Sequence, residues 1–116
     1  MASATSLISN APASDPIFES DNLKVDLTRR LVRVGVEEIS LTPTEYDLLR
    51  ILVQNAGRVI THRHLLRQVW GSAYESEAHL LRVNMSNLRR KIEPDPTRPR
   101  YIITEPGVGY RLRVES

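Results

Sequence analysis

The stretch from Ser76 to Ile92, SEAHLLRVNMSNLRRKI, decides how this chain is read. Projected at about 100° per residue, Ala78, Leu81, Met85, Leu88 and Ile92 fall on one side, an apolar stripe that has to face a core. The opposite side carries Leu80, Val83, Asn87 and Arg90, flanked by His79 and Ser86. The spacing predicts a helix from about Glu77 to Ile92, capped by Ser76 and stopped by Glu93-Pro94-Asp95-Pro96, which cannot continue it. An amide, a hydroxyl, a guanidinium and a β-branched methyl group on one face are the groups that read base edges: Asn pairs with adenine, Arg with guanine, and Val packs on a thymine methyl. Arg89, Arg90 and Lys91 at the helix end suit phosphates. A charge run on an isolated helix is more often a solvated surface. Two features weigh against that here: Leu80 and Val83 are poor choices for plain solvent, and a basic hairpin follows.

Upstream, Thr42-Pro43-Thr44-Glu45 opens another helix. Thr42 can cap it, Pro43 suits the first helical position, and Glu45 can close a capping box. Leu48, Leu49, Leu52 and Val53 continue as a buried stripe, and Gly57 suits a left-handed residue at the end. Arg58-Val59-Ile60 reads as an extended link, and Thr61 as the next N-cap. His62 to Trp70 reads as a second helix burying Leu65, Leu66 and Val69, and Gly71 to Glu75 as a loop. From Ile17 to Leu41 the pattern is strand-like. Leu23 to Leu27 alternates apolar and charged residues, Thr28-Arg29-Arg30 turns, Leu31 to Val34 resumes, Gly35 breaks, and Glu38 to Leu41 is a further short strand, together a meander with one wet face.

Downstream, Tyr101 to Thr104 and Tyr110 to Val114 form a hairpin around Pro106 to Gly109, with Gly107 and Gly109 bracketing a turn that calls for positive φ. Met1 to Pro16 is small, polar and Pro-punctuated, and reads as a disordered linker or an artificial leader; residues 17–116 then form one domain. Meander, helix, helix, loop, helix, hairpin is the order of a winged helix-turn-helix. The expected fold is α+β, with an N-terminal antiparallel meander, three helices and a C-terminal β-hairpin wing.

Composition narrows the function. The net charge is only +2, but residues 1–57 carry 5 basic and 8 acidic side chains, net −3, and residues 58–116 carry 11 and 6, net +5. A basic partner surface therefore belongs to the second half. Fourteen of the 16 cations are Arg, whose fixed fork grips phosphates and guanine edges at two points; GC-rich coding bias explains that ratio equally well. There is no cysteine, which removes disulfides, thiolate catalysis and zinc-finger ligation. No apolar run approaches a membrane span, and the N-terminus lacks the basic start and apolar core of a secretory signal, so a cytoplasmic protein with no membrane partner is expected.

Four motifs, in this order, carry a resemblance. They are Thr42-Pro43-Thr44-Glu45-Tyr46-Asp47-Leu48-Leu49; Leu65-Leu66 with Val69-Trp70-Gly71; Leu88-Arg89-Arg90-Lys91-Ile92; and Gly107-Val108-Gly109-Tyr110-Arg111. Over about Phe18 to Val114 the chain resembles the OmpR/PhoB-type DNA-binding effector domain of two-component response regulators. Leu81 to Met85, Asp95 to Arg100 and Ile103-Thr104-Glu105 look most like its KdpE subgroup, which controls potassium-transport operons. The resemblance implies a recognition helix in the major groove with Arg82, Val83 and Asn87 nearest the bases. It implies backbone contacts from Trp70, His79, Arg89, Thr104, Tyr110 and Arg111, beside the Arg90 already placed at phosphate. It also implies a loop of Gly71, Ser72, Ala73, Tyr74 and Glu75 offered to RNA polymerase. Members of the family bind tandem repeats as head-to-tail dimers once a receiver domain is phosphorylated by a sensor kinase; the isolated domain is expected to be monomeric. Two departures stand out. No receiver domain with its phosphoacceptor aspartate lies in this sequence, and Pro106 occupies the place where many relatives carry a minor-groove Arg, with Glu105 beside it.

Other chemistry is set aside. His62 and His64 sit two apart, on different helix faces, with no third ligand nearby, so no metal is expected. Gly107-Val108-Gly109 joins strands and opens no helix, unlike a nucleotide loop, and Asn84-Met85-Ser86 is a chance glycosylation match. No nucleophile and base are paired, so neither enzyme activity nor a cofactor is expected. Besides sequence-specific double-stranded DNA binding, one alternative stays open: a winged helix that docks a protein through Leu80 and Val83. RNA binding ranks last, because stacking would need more aromatics than 5%.

Overall fold

The alternation of the first strands becomes a four-stranded meander. The structure is a computed structural model and describes residues 17–114; the linker expected at Met1 to Pro16 lies outside the described residues. Strands β1 (Ile17–Ser20), β2 (Leu23–Asp26), β3 (Leu31–Val34) and β4 (Glu37–Ile39) pair antiparallel in sequence order. Val25 faces Val32 and Val32 faces Ile39 in register, so one face supplies an apolar row to the core. Lys24, Arg33 and Glu38 line up on the other face, as period-2 alternation requires.

Helix α1 (Pro43–Gln54) begins as its sequence demands: Thr42 Oγ1 accepts from the Glu45 N–H at 3.1 Å, and Glu45 Oε1 accepts from the Thr42 N–H at 3.0 Å. Such a box is worth about 1 kcal/mol. The cap at its far end is Asn55, with Gly57 two residues on at φ +85°. Helix α2 (His62–Trp70) is capped by Thr61, whose Oγ1 accepts from the His64 N–H at 3.1 Å. A short 3-10 turn, Ser72–Tyr74, occupies the expected loop. Helix α3 (Ala78–Ile92) follows.

Four expectations need correction. Ser76 does not cap α3: Glu77 holds the N-cap position, with no side-chain cap bond, because Ser76 lies inside the turn closed by the Glu77 N–H on the Tyr74 carbonyl at 2.9 Å. Ala78 is exposed, so the core face of α3 starts at Leu81 and continues through Met85, Leu88 and Ile92. Arg58-Val59-Ile60 is more than a link. Strand β5 (Val59–Thr61) pairs antiparallel with β7 (Gly109–Leu112), which also pairs with β6 (Ile102–Glu105), giving a three-stranded sheet in the order β5-β7-β6. Of the two wing glycines only Gly107 needs positive φ, at +75°. Gly109 is required by contact instead, since a Cβ there would stand 1.9 Å from the Ile60 carbonyl oxygen.

The core is shared by all these elements. Leu23, Val25 and Val32 from the meander meet Leu48, Leu49 and Leu52 of α1, Leu65 and Leu66 of α2, the α3 stripe, and Ile102 and Leu112 of the wing sheet. Val69 and Trp70 pack only partly against it. Two helices joined by a turn, preceded by a capped helix and followed by a β-sheet wing, make the fold an α+β winged helix-turn-helix.

Candidate nucleic-acid interface

Helix α3 is held from three sides. Its apolar stripe packs on α1 and α2. Lys91 Nζ reaches the buried Glu45 carboxylate of α1 at 2.6 Å. Burial opposes the charge on Glu45, but the Lys91 ammonium and the Thr42 N–H outweigh it and hold the carboxyl below its ordinary value. At the other end, Glu75 takes Arg67 Nε at 3.1 Å and Arg63 Nε at 3.7 Å, clamping the turn before α3 onto α2. The expected partner-facing loop is therefore fastened at Glu75, while Ser72, Ala73 and Tyr74 stay exposed.

The face of α3 away from the core is open. His79, Arg82, Val83 and Arg90 are exposed, Val83 by 42%, and Ser86 and Asn87 are half-buried. Leu80, expected to stand out on this face, is half-buried as well. Arg90 Nη1 donates to Asn87 Oδ1 at 2.6 Å, which fixes the amide and leaves its NH2 end as a donor. Arg82 has no carboxylate partner among the described residues.

The expected backbone contacts divide into two groups. Arg89, Thr104 and Tyr110 come together: Arg89 Nη2 donates to the Ile102 carbonyl and to Thr104 Oγ1, both at 2.7 Å, and its guanidinium lies 5.3 Å from the centre of the Tyr110 ring. Burial pulls the Arg89 pKa down, against the opposing pull of Tyr110 and Glu93. His62, at the start of α2, meets the Tyr110 ring edge-on at 5.4 Å. Arg89 is thus a strut between α3 and the wing. Arg111 is not part of this group. It sits in register with Ile103 and Val59, on the sheet face opposite Tyr110, and its Nε donates to Glu105 Oε2 at 3.1 Å. Trp70 closes α2 and is half-buried against the core.

The excess charge of the second half is also sorted. Arg63, Arg67, Lys91, Arg100 and Arg111 are each paired with a carboxylate. Among the described residues Arg58, Arg82, Arg89, Arg90, Arg98 and Arg113 are not, and three of these lie on α3. Sequence reasoning missed Glu93. Its buried carboxylate takes the backbone N–H groups of Arg100, Tyr101 and Ile102 at 2.6–3.1 Å. Nothing in an acid placed between a helix and a proline distinguishes it from an exposed one. No group of three or more His, Cys, Asp and Glu among the described residues could hold a metal ion.

Known proteins are similar to this chain in sequence and fold. Residues 36–112 match the family described as "Transcriptional regulatory protein, C terminal". The chain is 49% identical over 100 residues to the KDP operon transcriptional regulatory protein KdpE of Escherichia coli K12, covering 86% of this chain and 44% of that relative. The response regulator DrrB of Thermotoga maritima, an OmpR/PhoB homologue, superposes with a TM-score of 0.78 at 34% identity, covering 84% of this chain and 44% of DrrB. The RstA DNA-binding domain of Klebsiella pneumoniae, solved in complex with the RstA box, gives 0.77 at 27% identity, covering 85% of this chain and 98% of that one. The chain therefore spans less than half the length of the KdpE relative it matches. With a fold, an exposed helix face and a family match that agree, this chain belongs to the OmpR/PhoB-type DNA-binding effector domains of response regulators.

Proposed function

We propose that this chain reads double-stranded DNA sequence-specifically as the effector part of a two-component response regulator, with α3 in the major groove and the wing on the sugar-phosphate backbone. One observation carries the reading: the face of α3 opposite its four core anchors presents Arg82, Val83 and an Asn87 amide pre-set by Arg90. Arg82, Val83 and Asn87 contact bases in this reading. His79, Arg90, Trp70 and the Arg89–Thr104–Tyr110 group position the phosphates. Arg111, held by Glu105 on the far sheet face, contributes least of the expected backbone contacts. The RstA domain's complex with its box supports the same use of this fold, and the likeness to KdpE supports a potassium-transport operon as the target.

In the full-length protein a receiver domain and its sensor kinase would control pairing on tandem sites in the cytoplasm, and the turn at Ser72–Tyr74 would face RNA polymerase. The protein alone is expected to sediment as a monomer and to pair on a two-repeat duplex. The decisive test is selection from a pool of random duplexes at two salt concentrations. One enriched motif, directly repeated, with a log–log salt slope near −5 for about six neutralised phosphates, supports the reading. Binding without a motif would mean phosphate grip without readout. Absence of binding at low salt would overturn the proposal in favour of a protein-docking module.

A further inference from the structure

Glu93 is the one carboxylate among the described residues that is buried and answered by backbone alone. It follows the last residue of α3, its own N–H still bonded to the Arg89 carbonyl at 2.8 Å. Its side chain turns forward across the seven-residue excursion to Arg100. Oε1 accepts from the N–H groups of Arg100 at 2.6 Å and Tyr101 at 3.0 Å; Oε2 accepts from Tyr101 at 3.1 Å and Ile102 at 2.8 Å. Three successive backbone donors at the entrance of β6 are thereby satisfied by one anion, and such charge-assisted bonds are the strong kind. The fastening reaches further. The Tyr101 carbonyl accepts from the Arg113 N–H at 2.8 Å, and Ile102 opens the strand whose carbonyl and Thr104 hydroxyl hold Arg89.

We infer that Glu93 is a positioning residue for DNA binding: its carboxylate sets where the wing strand starts relative to the end of α3, and so fixes the spacing between major-groove and backbone contacts. The inference rests on the DNA-binding reading above. The carboxylate itself is buried and taken up by backbone donors, so it acts through the wing strand that it fastens. A bidentate acceptor is what three converging N–H groups need. Glutamine has the same shape but offers one acceptor oxygen and a donor NH2, so it leaves at least one N–H facing a donor.

The test compares wild type and Glu93→Gln on the motif selected by wild type, well below the melting temperature of each, by titration and hydroxyl-radical footprinting. The expected result is an affinity loss of roughly tenfold with the preferred motif unchanged and protection lost only at the backbone flanking the motif, where the wing lies. Mere destabilisation would lower the active fraction without changing the footprint. Glu93→Asp, which keeps the charge but retracts it by one methylene, should fall between the two and serves as the variant if Glu93→Gln does not fold. An unchanged footprint and affinity in Glu93→Gln overturns the inference while leaving DNA binding intact. Unfolding of both variants also overturns it, since Glu93 would then be a determinant of folding alone. A wild type that binds no duplex overturns the DNA-binding reading itself, and this inference with it.

Discussion

The meander and the wing sheet are both small antiparallel sheets feeding one core, yet they are assembled in opposite ways. Strands β1 to β4 pair in sequence order through short turns, so every partner is a chain neighbour. The wing sheet brings β5, at residues 59–61, against β7, at residues 109–112, with two helices in between. A local sheet depends on its turns. A non-local one depends on whether distant backbones can approach. Each sheet ties down a cation, Lys24 to Glu19 on the meander and Arg111 to Glu105 on the wing, whereas Arg82 and Arg90 of α3 have no carboxylate partner among the described residues.

The largest effect should come from breaking the close approach of β5 and β7. Gly109→Ala sets a Cβ 1.9 Å from the Ile60 carbonyl oxygen, and should cost about 3 kcal/mol in denaturant unfolding. Gly35→Ala in the meander turn meets no atom within 4 Å and suffers only its φ of +63°, so about 1 kcal/mol is expected. Equal costs would mean that the two sheets do not differ as described.

The next effect separates the cations. Arg82→Ala or Asn87→Ala should each cost about 1–3 kcal/mol at one matching base pair and relax specificity there. Arg33→Ala, on the solvent face of the meander, should leave the binding isotherm unchanged. A loss at Arg33 equal to that at Arg82 would place the DNA on the wrong surface.

Glu45 joins the region after the meander to α3, and its contribution depends on pH. Its carboxyl is held below the ordinary value, so the stability it adds is present above about pH 4.3 and is lost as pH falls through the lower folded value. Glu45→Gln keeps an acceptor for Thr42 but loses the charge opposite Lys91. It should lower stability by about 1 kcal/mol at pH 7, with the gap to wild type closing in melting experiments as the pH falls below the ordinary glutamate value. A gap independent of pH would show that the ion pair with Lys91 contributes nothing.

The smallest effect belongs to the wing's outer face. Arg111→Ala should weaken DNA by no more than about 0.5 kcal/mol, because its guanidinium is half-exposed and already paired with Glu105. A loss matching that of Arg82→Ala in the same titration would mean that the pair opens on DNA and that Arg111 turns to the phosphates.

The amino-acid sequence by itself determined whatever depends on neighbours along the chain. The capping box at Thr42 and Glu45, the Thr61 cap, the stripe of Leu81, Met85, Leu88 and Ile92, and the meander are local periodicities and local hydrogen bonds, and they stand where the pattern puts them. Because a helix face follows from spacing alone, Val83 and Arg90 could be placed on the open side of α3 from sequence, whereas Arg82 entered only through the family resemblance. Tertiary structure decided everything set by partners far apart in the chain. It turned the link at Val59 into a strand, assigned Gly109 to a backbone contact, drew Arg89 into the wing and set Arg111 against Glu105. It also buried Glu93 beneath three N–H groups. A charge read from the sequence carries a sign and a position along the chain; whether it is spent on the protein or left for a ligand depends on which opposite charge or backbone donor the fold brings within about 3 Å.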